Sequence, residues 1–142
     1  MAYELTAHAI LQNGMCFDAE TGSCHHIILD AADSNGGEDK GPRPMELFLV
    51  ALASCAGMDI ISILRKKRQQ ISGYEVRVHG DRMEEHPRMF VNITVEHLFT
   101  GHDLHPAAIE RAIALTEERY CAASVIMSKS AKVLHTFRII EQ

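Results

Sequence analysis

Two cysteines carry the chemistry that this chain could do. Cys55 closes the apolar run Pro44-Met45-Glu46-Leu47-Phe48-Leu49-Val50-Ala51-Leu52-Ala53-Ser54-Cys55, and Cys121 directly follows Tyr120. Cys packs less well than Leu or Ile, so a core helix has no need of a thiol. Two thiols that meet in a fold can do redox chemistry that neither does alone. The plain alternative for each is a small buried hydrophobe. Cys16 and Cys24 flank an N-terminal turn and read as structural.

Other chemistry is poorly supported. Nine histidines invite a metal. The tightest group, His102-Asp103-Leu104-His105, has no further ligand at recognisable spacing, whereas zinc takes three or four protein ligands. His25 and His26 are adjacent on a strand and point to opposite faces, so they form no chelate. There is no P-loop and no GxGxxG, and nothing indicates a nucleotide, flavin or haem cofactor. No metal and no cofactor is therefore expected.

The elements that must position the cysteines follow from periodicity. Tyr3, Leu5, Ala7, Ala9 and Leu11 alternate with mostly polar neighbours, and Asn13-Gly14 is a strong hairpin turn. Met15 to Ala19 reads as the return strand. Thr21-Gly22 turns again into a third strand, His25 to Asp30. Ala31 to Arg43 is a loop by composition. Pro44 suits the first position of a helix, which is expected to run to about Gln69, with Arg65-Lys66-Lys67-Arg68 at the negative end of its dipole. Tyr74, Val76 and Val78 face one way on a fourth strand. After a turn at Glu85-His86-Pro87-Arg88, Met89, Val91, Ile93, Val95 and Phe99 share one face of a fifth. Gly101 to His105 reads as a loop. Pro106 opens a second helix through Ile109, Ala112, Ile113, Thr116 and Tyr120, continued by a short helix from Cys121 to Met127. Val133 to Ile140 is the final strand. The order βββ-α-ββ-α-β makes an α+β fold, in a single domain spanning 1–142.

Composition narrows the setting. The 142 residues are 46% hydrophobic and 23% charged, ordinary for a globular domain, and the net charge of −5 argues against nucleic acid. No basic, apolar leader precedes the first strand. Four cysteines without a CxxC read as cytoplasmic thiols. The run from Met45 to Leu64 is long enough to raise a membrane question. Glu46, Asp59 and the basic cluster that follows it favour a helix inside a soluble core, so no membrane is expected. A helix apolar on nearly every face needs cover all round. One small sheet and one short helix fall short of that, so a homodimer is expected.

Taken together, the Pro44-Met45-Glu46-Leu47 opening, Ala51-Leu52-Ala53-Ser54-Cys55, Asp59-Ile60-Ile61-Ser62-Ile63-Leu64 and Glu118-Arg119-Tyr120-Cys121 resemble the OsmC/Ohr family of peroxide-detoxifying proteins. The likeness runs along nearly the whole chain, and is greatest to the OsmC-like branch with Pro-Met-Glu at the helix opening. It implies a central helix wrapped by antiparallel sheet in an intertwined homodimer. It also implies cysteine-based reduction of organic hydroperoxides in oxidative-stress defence. The reductant would be a dithiol, either a small molecule or a lipoyl-type protein. Cys55 matches the peroxidatic cysteine and Cys121 the resolving one. Arg43, Met45, Glu46 and Phe48 would line the substrate pocket. Characterised peroxidases of the family activate the thiol with an Arg from the N-terminal strands and a Glu near the helix start. Here no Arg precedes Arg43, and Met45 stands at the Glu position. The alternative is a non-catalytic dimer that binds a small apolar or thiol compound in its interface cleft.

Overall fold

The structure is a computed structural model that describes residues 3–142. The chain forms two compact units, Met1–Phe48 and Leu49–Gln142. In the first, β1 (Ala7–Leu11), β2 (Phe17–Thr21) and β3 (His26–Leu29) form an antiparallel meander in that order. Gly14 takes the left-handed backbone that the Asn13-Gly14 turn requires, with φ +57°. In the second turn it is Cys24, not Gly22, that turns left-handed, and its N–H donates to the Thr21 carbonyl at 2.9 Å. The loop that follows is held by Asp30, a buried carboxylate that accepts the N–H groups of Ala31, Glu38 and Lys40 at 2.7, 3.1 and 3.2 Å.

Helix α1 (Pro44–Lys66) starts in the first unit and continues into the second. Pro44 is its first residue. The Glu46 carboxylate accepts the Arg43 N–H at 2.8 Å, which is half of a capping box and satisfies a donor that the helix leaves open. At the other end Arg68 adopts φ +57°. The Gln69 N–H reaches the Leu64 carbonyl and the Arg68 N–H the Arg65 carbonyl, both at 3.0 Å. That pair of bonds is the Schellman closure. It stops the helix at Lys66, three residues before the expected end, with an arginine where glycine is usual.

The second unit holds β4 (Gln70–Arg82), β5 (Phe90–His102), α2 (Pro106–Leu115), α3 (Ala122–Met127) and β6 (Lys132–Glu141), with sheet order β4-β5-β6. The fold is α+β in the expected order, with one difference. β4 and β5 are antiparallel, but β6 runs parallel to β5, so the sheet is mixed rather than antiparallel throughout. The two-helix crossover after β5 returns the chain to the same end of the sheet before β6 begins, which makes a parallel pairing possible.

Register fixes which side chains share a face. Tyr74 pairs with Phe99 and Phe99 with Ile139; Val76 pairs with His97 and His97 with Phe137. This face meets the helices. Ile60 and Leu64 of α1, Phe99, Leu104, and Ile109, Ala112 and Ile113 of α2 form one buried cluster, flanked by Ile71, Tyr74, Phe137 and Ile139. Within the second unit, Leu52, Ala56, Ile60 and Leu64 bury one stripe of α1 at i,i+4 spacing. Val50 and Met58 remain exposed, Met58 at 71%.

β5 extends through Gly101 to His102, where the sequence reads as a loop. Gly101 is strand through its pairing with Ile71 and Glu141, and it must be glycine because a neighbour comes too close for a side chain. A Cβ there would collide with the Gln70 carbonyl and press on both Leu104 methyls at 3.0 and 3.1 Å. Gly101→Ala is expected to destabilise the protein by about 3 kcal/mol or more, read as a fall in the urea midpoint. A midpoint within error of wild type would show that the strand end gives way freely.

Candidate active site

Cys55 and Asp59 lie one helical turn apart on α1 and therefore point the same way. Cys121 arrives from the other side through an unusual connection. After α2 the chain makes one π-helical turn, Thr116–Tyr120, closed by the Cys121 N–H on the Thr116 carbonyl at 2.9 Å. Single π turns are frequent at functional sites. This one sets Cys121 as the N-cap of α3, with extended backbone (φ −83°, ψ 100°). Its Sγ accepts the Ser124 N–H at 3.3 Å. The sulfur thus takes the place that a serine or aspartate oxygen usually takes at a helix start.

The two Sγ atoms and a carboxylate oxygen of Asp59 lie within 4.8 Å of one another. Both thiols are free. Cys55 is partly exposed and Cys121 is fully buried. Burial pushes the Cys121 thiol up to about 12. Its hydrogen bond with the Cys55 thiol and the charges of Cys55 and Asp59 add to the rise, and the Ser124 N–H opposes it. Asp59 has no hydrogen-bond or ion-pair partner for its carboxylate among the described residues. It borders an open cleft of about 410 Å³, lined also by Ser62, Ile63, Lys66, Lys67, Leu115 and Tyr120.

A chain of polar side chains crosses the core to the same place. The Tyr74 hydroxyl meets His97 Nδ1 at 2.7 Å, His97 Nε2 meets His135 Nδ1 at 3.0 Å, and His135 Nε2 meets the Ser124 hydroxyl at 3.2 Å. The rings are stacked, with Tyr74 on Phe99 at 4.5 Å and His97 on His135 at 5.3 Å between centroids. Burial lowers His97 to about 3, helped by the neighbouring His135, and burial alone lowers His135 to about 4. Both rings are therefore neutral at pH 7, and each carries one N–H and one bare nitrogen. All three bonds must then point the same way: Tyr74 donates to His97, His97 to His135 and His135 to Ser124, or every one is reversed. The chain ends on Ser124, whose own N–H is capped by Cys121 Sγ.

The structure thus brings Cys55 and Cys121 together and adds Asp59 and Ser124 to them. Arg43, Met45, Glu46 and Phe48 belong to the first unit. There the Arg43 guanidinium is held by Asp39 at 2.7 Å and the Gly41 carbonyl at 2.9 Å, and Glu46 caps α1. His97, His135 and Ser124 are absent from the sequence reading. Strand parity could have found His97, which lies between Val95 and Phe99 on the apolar face. Of the His102-Asp103-Leu104-His105 run, His102 lies beside Asp103 and Glu141 in an exposed group.

An α+β chain that pairs a half-buried thiol on its long helix with a buried thiol at a later helix start has the architecture of an OsmC-like protein. The family model of that description matches residues 37–136, and the chain belongs to the OsmC-like family. Over 127 residues it is 38% identical to Protein YhfA of Escherichia coli (strain K12), spanning 89% of this chain and 92% of that protein. A crystal structure of a hypothetical protein from Aquifex aeolicus VF5 superposes with a TM-score of 0.87 at 27% identity, over 99% of both chains. An organic hydroperoxide resistance protein OsmC from Legionella pneumophila superposes with a TM-score of 0.72 at 19% identity, over 96% of this chain and 98% of that one, a likeness of fold.

Proposed function

We propose that this protein is a thiol peroxidase that reduces organic hydroperoxides, with Cys55 as the attacking and Cys121 as the resolving cysteine. Family membership supports a redox, stress-related role. The observation that carries the finer reading is the approach of the two free Sγ atoms to within 4.8 Å.

Burial supports this order of roles. A peroxide from solvent reaches the half-buried Cys55 before the fully buried Cys121. The Cys55 thiolate attacks the outer peroxide oxygen, the O–O bond breaks, and the alkoxide takes a proton and leaves as alcohol. Cys55 is then a sulfenic acid. The raised Cys121 thiol keeps its proton up to this point. As its sulfur attacks Cys55, that proton leaves with the hydroxyl as water and a disulfide forms. A dithiol, small or carried on a lipoyl-type protein, restores both thiols by exchange.

Several features support a homodimer. Ile10, Leu11, Phe17, Ile27 and Ile28 of the N-terminal sheet are exposed in the single chain. A groove of about 450 Å³ along α1 is lined by Val50, Ala53, Gly57, Met58, Ile61 and Val76. Exposed apolar surface of this kind marks an interaction site, and a second copy would cover it. α1 is long and apolar enough to cross a membrane, but its buried stripe packs on a sheet instead. The free thiols suit the cytoplasm.

Intact mass under non-reducing conditions, before and after one equivalent of an organic hydroperoxide, tests the reading. Rapid loss of two hydrogens is expected. An unchanged mass after minutes would exclude the peroxidase and favour a non-catalytic dimer that holds a small apolar or thiol compound in its interface cleft.

A further inference from the structure

We propose that Cys55, Asp59 and Cys121 in the reduced protein form a binding site for a thiophilic divalent cation, Zn²⁺ above all, with a fourth position open to solvent or a ligand. The proposal rests on the thiol pair and is independent of the peroxide reaction.

Three ligand atoms, two sulfurs and a carboxylate oxygen, lie within 4.8 Å of one another. Ligands around a tetrahedral zinc at ~2.0–2.3 Å stand within this separation. Two come from one rigid element at i,i+4 spacing and the third from the fixed N-cap of α3. Two soft sulfurs with one hard oxygen suit Zn²⁺ better than Mg²⁺ or Ca²⁺, which take oxygen alone.

Two further observations point to a cation. The Asp59 carboxylate sits beside two thiols without a positively charged or hydrogen-bonding partner among the described residues. That placement, with its oxygen within 4.8 Å of both sulfurs, makes it the third ligand of a metal held between them. The Ser124 N–H on Cys121 Sγ, at 3.3 Å, is the kind of outer hydrogen bond that orients a ligating thiolate. The histidine chain behind Ser124 holds it in place. The cleft bordered by Asp59 gives the ion a way in and leaves the fourth position free.

Binding would displace one proton from each thiol, leaving a site of net charge −1 from two thiolates, one carboxylate and Zn²⁺. Metal and disulfide exclude one another. Oxidation by a hydroperoxide balances as two thiolates plus ROOH and two protons giving the disulfide, ROH and water, with release of Zn²⁺. The same residues would then report the redox state as bound or free metal.

Co²⁺ added to the reduced protein is the spectroscopic probe, with Zn²⁺ competition followed by native mass spectrometry. One ion per chain is expected, with a thiolate-to-cobalt charge-transfer band and the visible bands of tetrahedral Co²⁺. Loss of an outer partner alone typically weakens a site ~10–100-fold, so Asp59→Asn is expected to weaken binding at least ~10-fold. Cys121→Ser should cut the charge-transfer intensity to about half or less. Wild-type protein oxidised to the disulfide with diamide serves if a variant fails to fold, and should bind no Co²⁺ at this site. The absence of a charge-transfer band in reduced wild type overturns the proposal. So does a band that Cys121→Ser and prior oxidation leave unchanged, which would place the ion elsewhere. Neither result bears on the loss of two hydrogens with peroxide, so the two readings fail separately.

Discussion

Cys55→Ser is expected to abolish the two-hydrogen loss with an organic hydroperoxide, whereas Cys121→Ser keeps the first step and stops there. The asymmetry follows from burial and proton position. Only a thiolate attacks the O–O bond, and Cys55 is the partly exposed member of the pair. Serine at 55 has no ionised form near neutral pH and leaves Cys121 alone in the core, where burial keeps its thiol protonated. The peroxide should then decay only at its rate in buffer. With serine at 121, Cys55 still reaches the sulfenic acid but has no thiol to condense with. The protein should gain one oxygen and become reactive toward sulfenic-acid traps. At position 121 the hydroxyl can still accept the Ser124 N–H, so the start of α3 should survive, and an unchanged thermal midpoint would confirm it. Were Cys121→Ser inert and Cys55→Ser oxidised, the roles would be reversed, and peroxide would have to enter the core beside α3.

The order of elements and the two cysteines were legible in the sequence because both rest on local pattern. Alternation at Tyr74, Val76 and Val78, the Asn13-Gly14 turn and the prolines at 44 and 106 each act within a few residues. What escaped depends on contacts distant in sequence. Gly101 looks like a breaker, and only its pairing with Ile71 and Glu141 makes it strand. The parallel pairing of β6 depends on where the crossover lands. The end of α1 turns on Arg68 accepting a left-handed backbone that propensity assigns to glycine. At the site, Asp59 was visible as a charge one turn from Cys55, but its place as the third group beside both sulfurs required the π turn, and nothing in Thr116-Glu117-Glu118-Arg119-Tyr120 announces one. Arg43 and Glu46 are given a place in the pocket by the family resemblance, and the first unit shows only their local bonds. Glu46 caps the helix and Arg43 is paired with Asp39.

The histidine chain makes the protein sensitive to acid, and the effect should be large. In the unfolded chain both histidines take a proton near pH 6.5. In the folded protein burial holds His97 at about 3 and His135 at about 4. Between these values the unfolded state binds more protons than the native state, so stability falls as pH falls. Above about 6.5 both states carry neutral rings and the effect vanishes. Within the window the slope approaches ~1.4 kcal/mol per pH unit for the fully buried His97, and His135 adds to it. Set against a typical stability of ~5–15 kcal/mol, two units of acidification is a substantial loss. Urea unfolding at pH 7.0, 6.0, 5.0 and 4.5 reads the slope. Carboxylates also titrate near the lower end, so the comparison is with His97→Phe, whose ring can stack beside Phe99 and cannot take a proton. That variant loses the bonds to Tyr74 and His135 and should be less stable at pH 7. Its profile from pH 6.5 to 5 should nonetheless be flatter than wild type by the share of one histidine. Parallel profiles would mean that His97 is protonated in the native core at no cost. The consequence for the site is direct: once His97 or His135 takes a second proton, the one-way order of hydrogen bonds to Ser124 breaks. Ser124, whose N–H Cys121 Sγ accepts, then loses the fixed direction of its side-chain bond, and disulfide formation is expected to slow at a higher pH than the one at which the fold is lost.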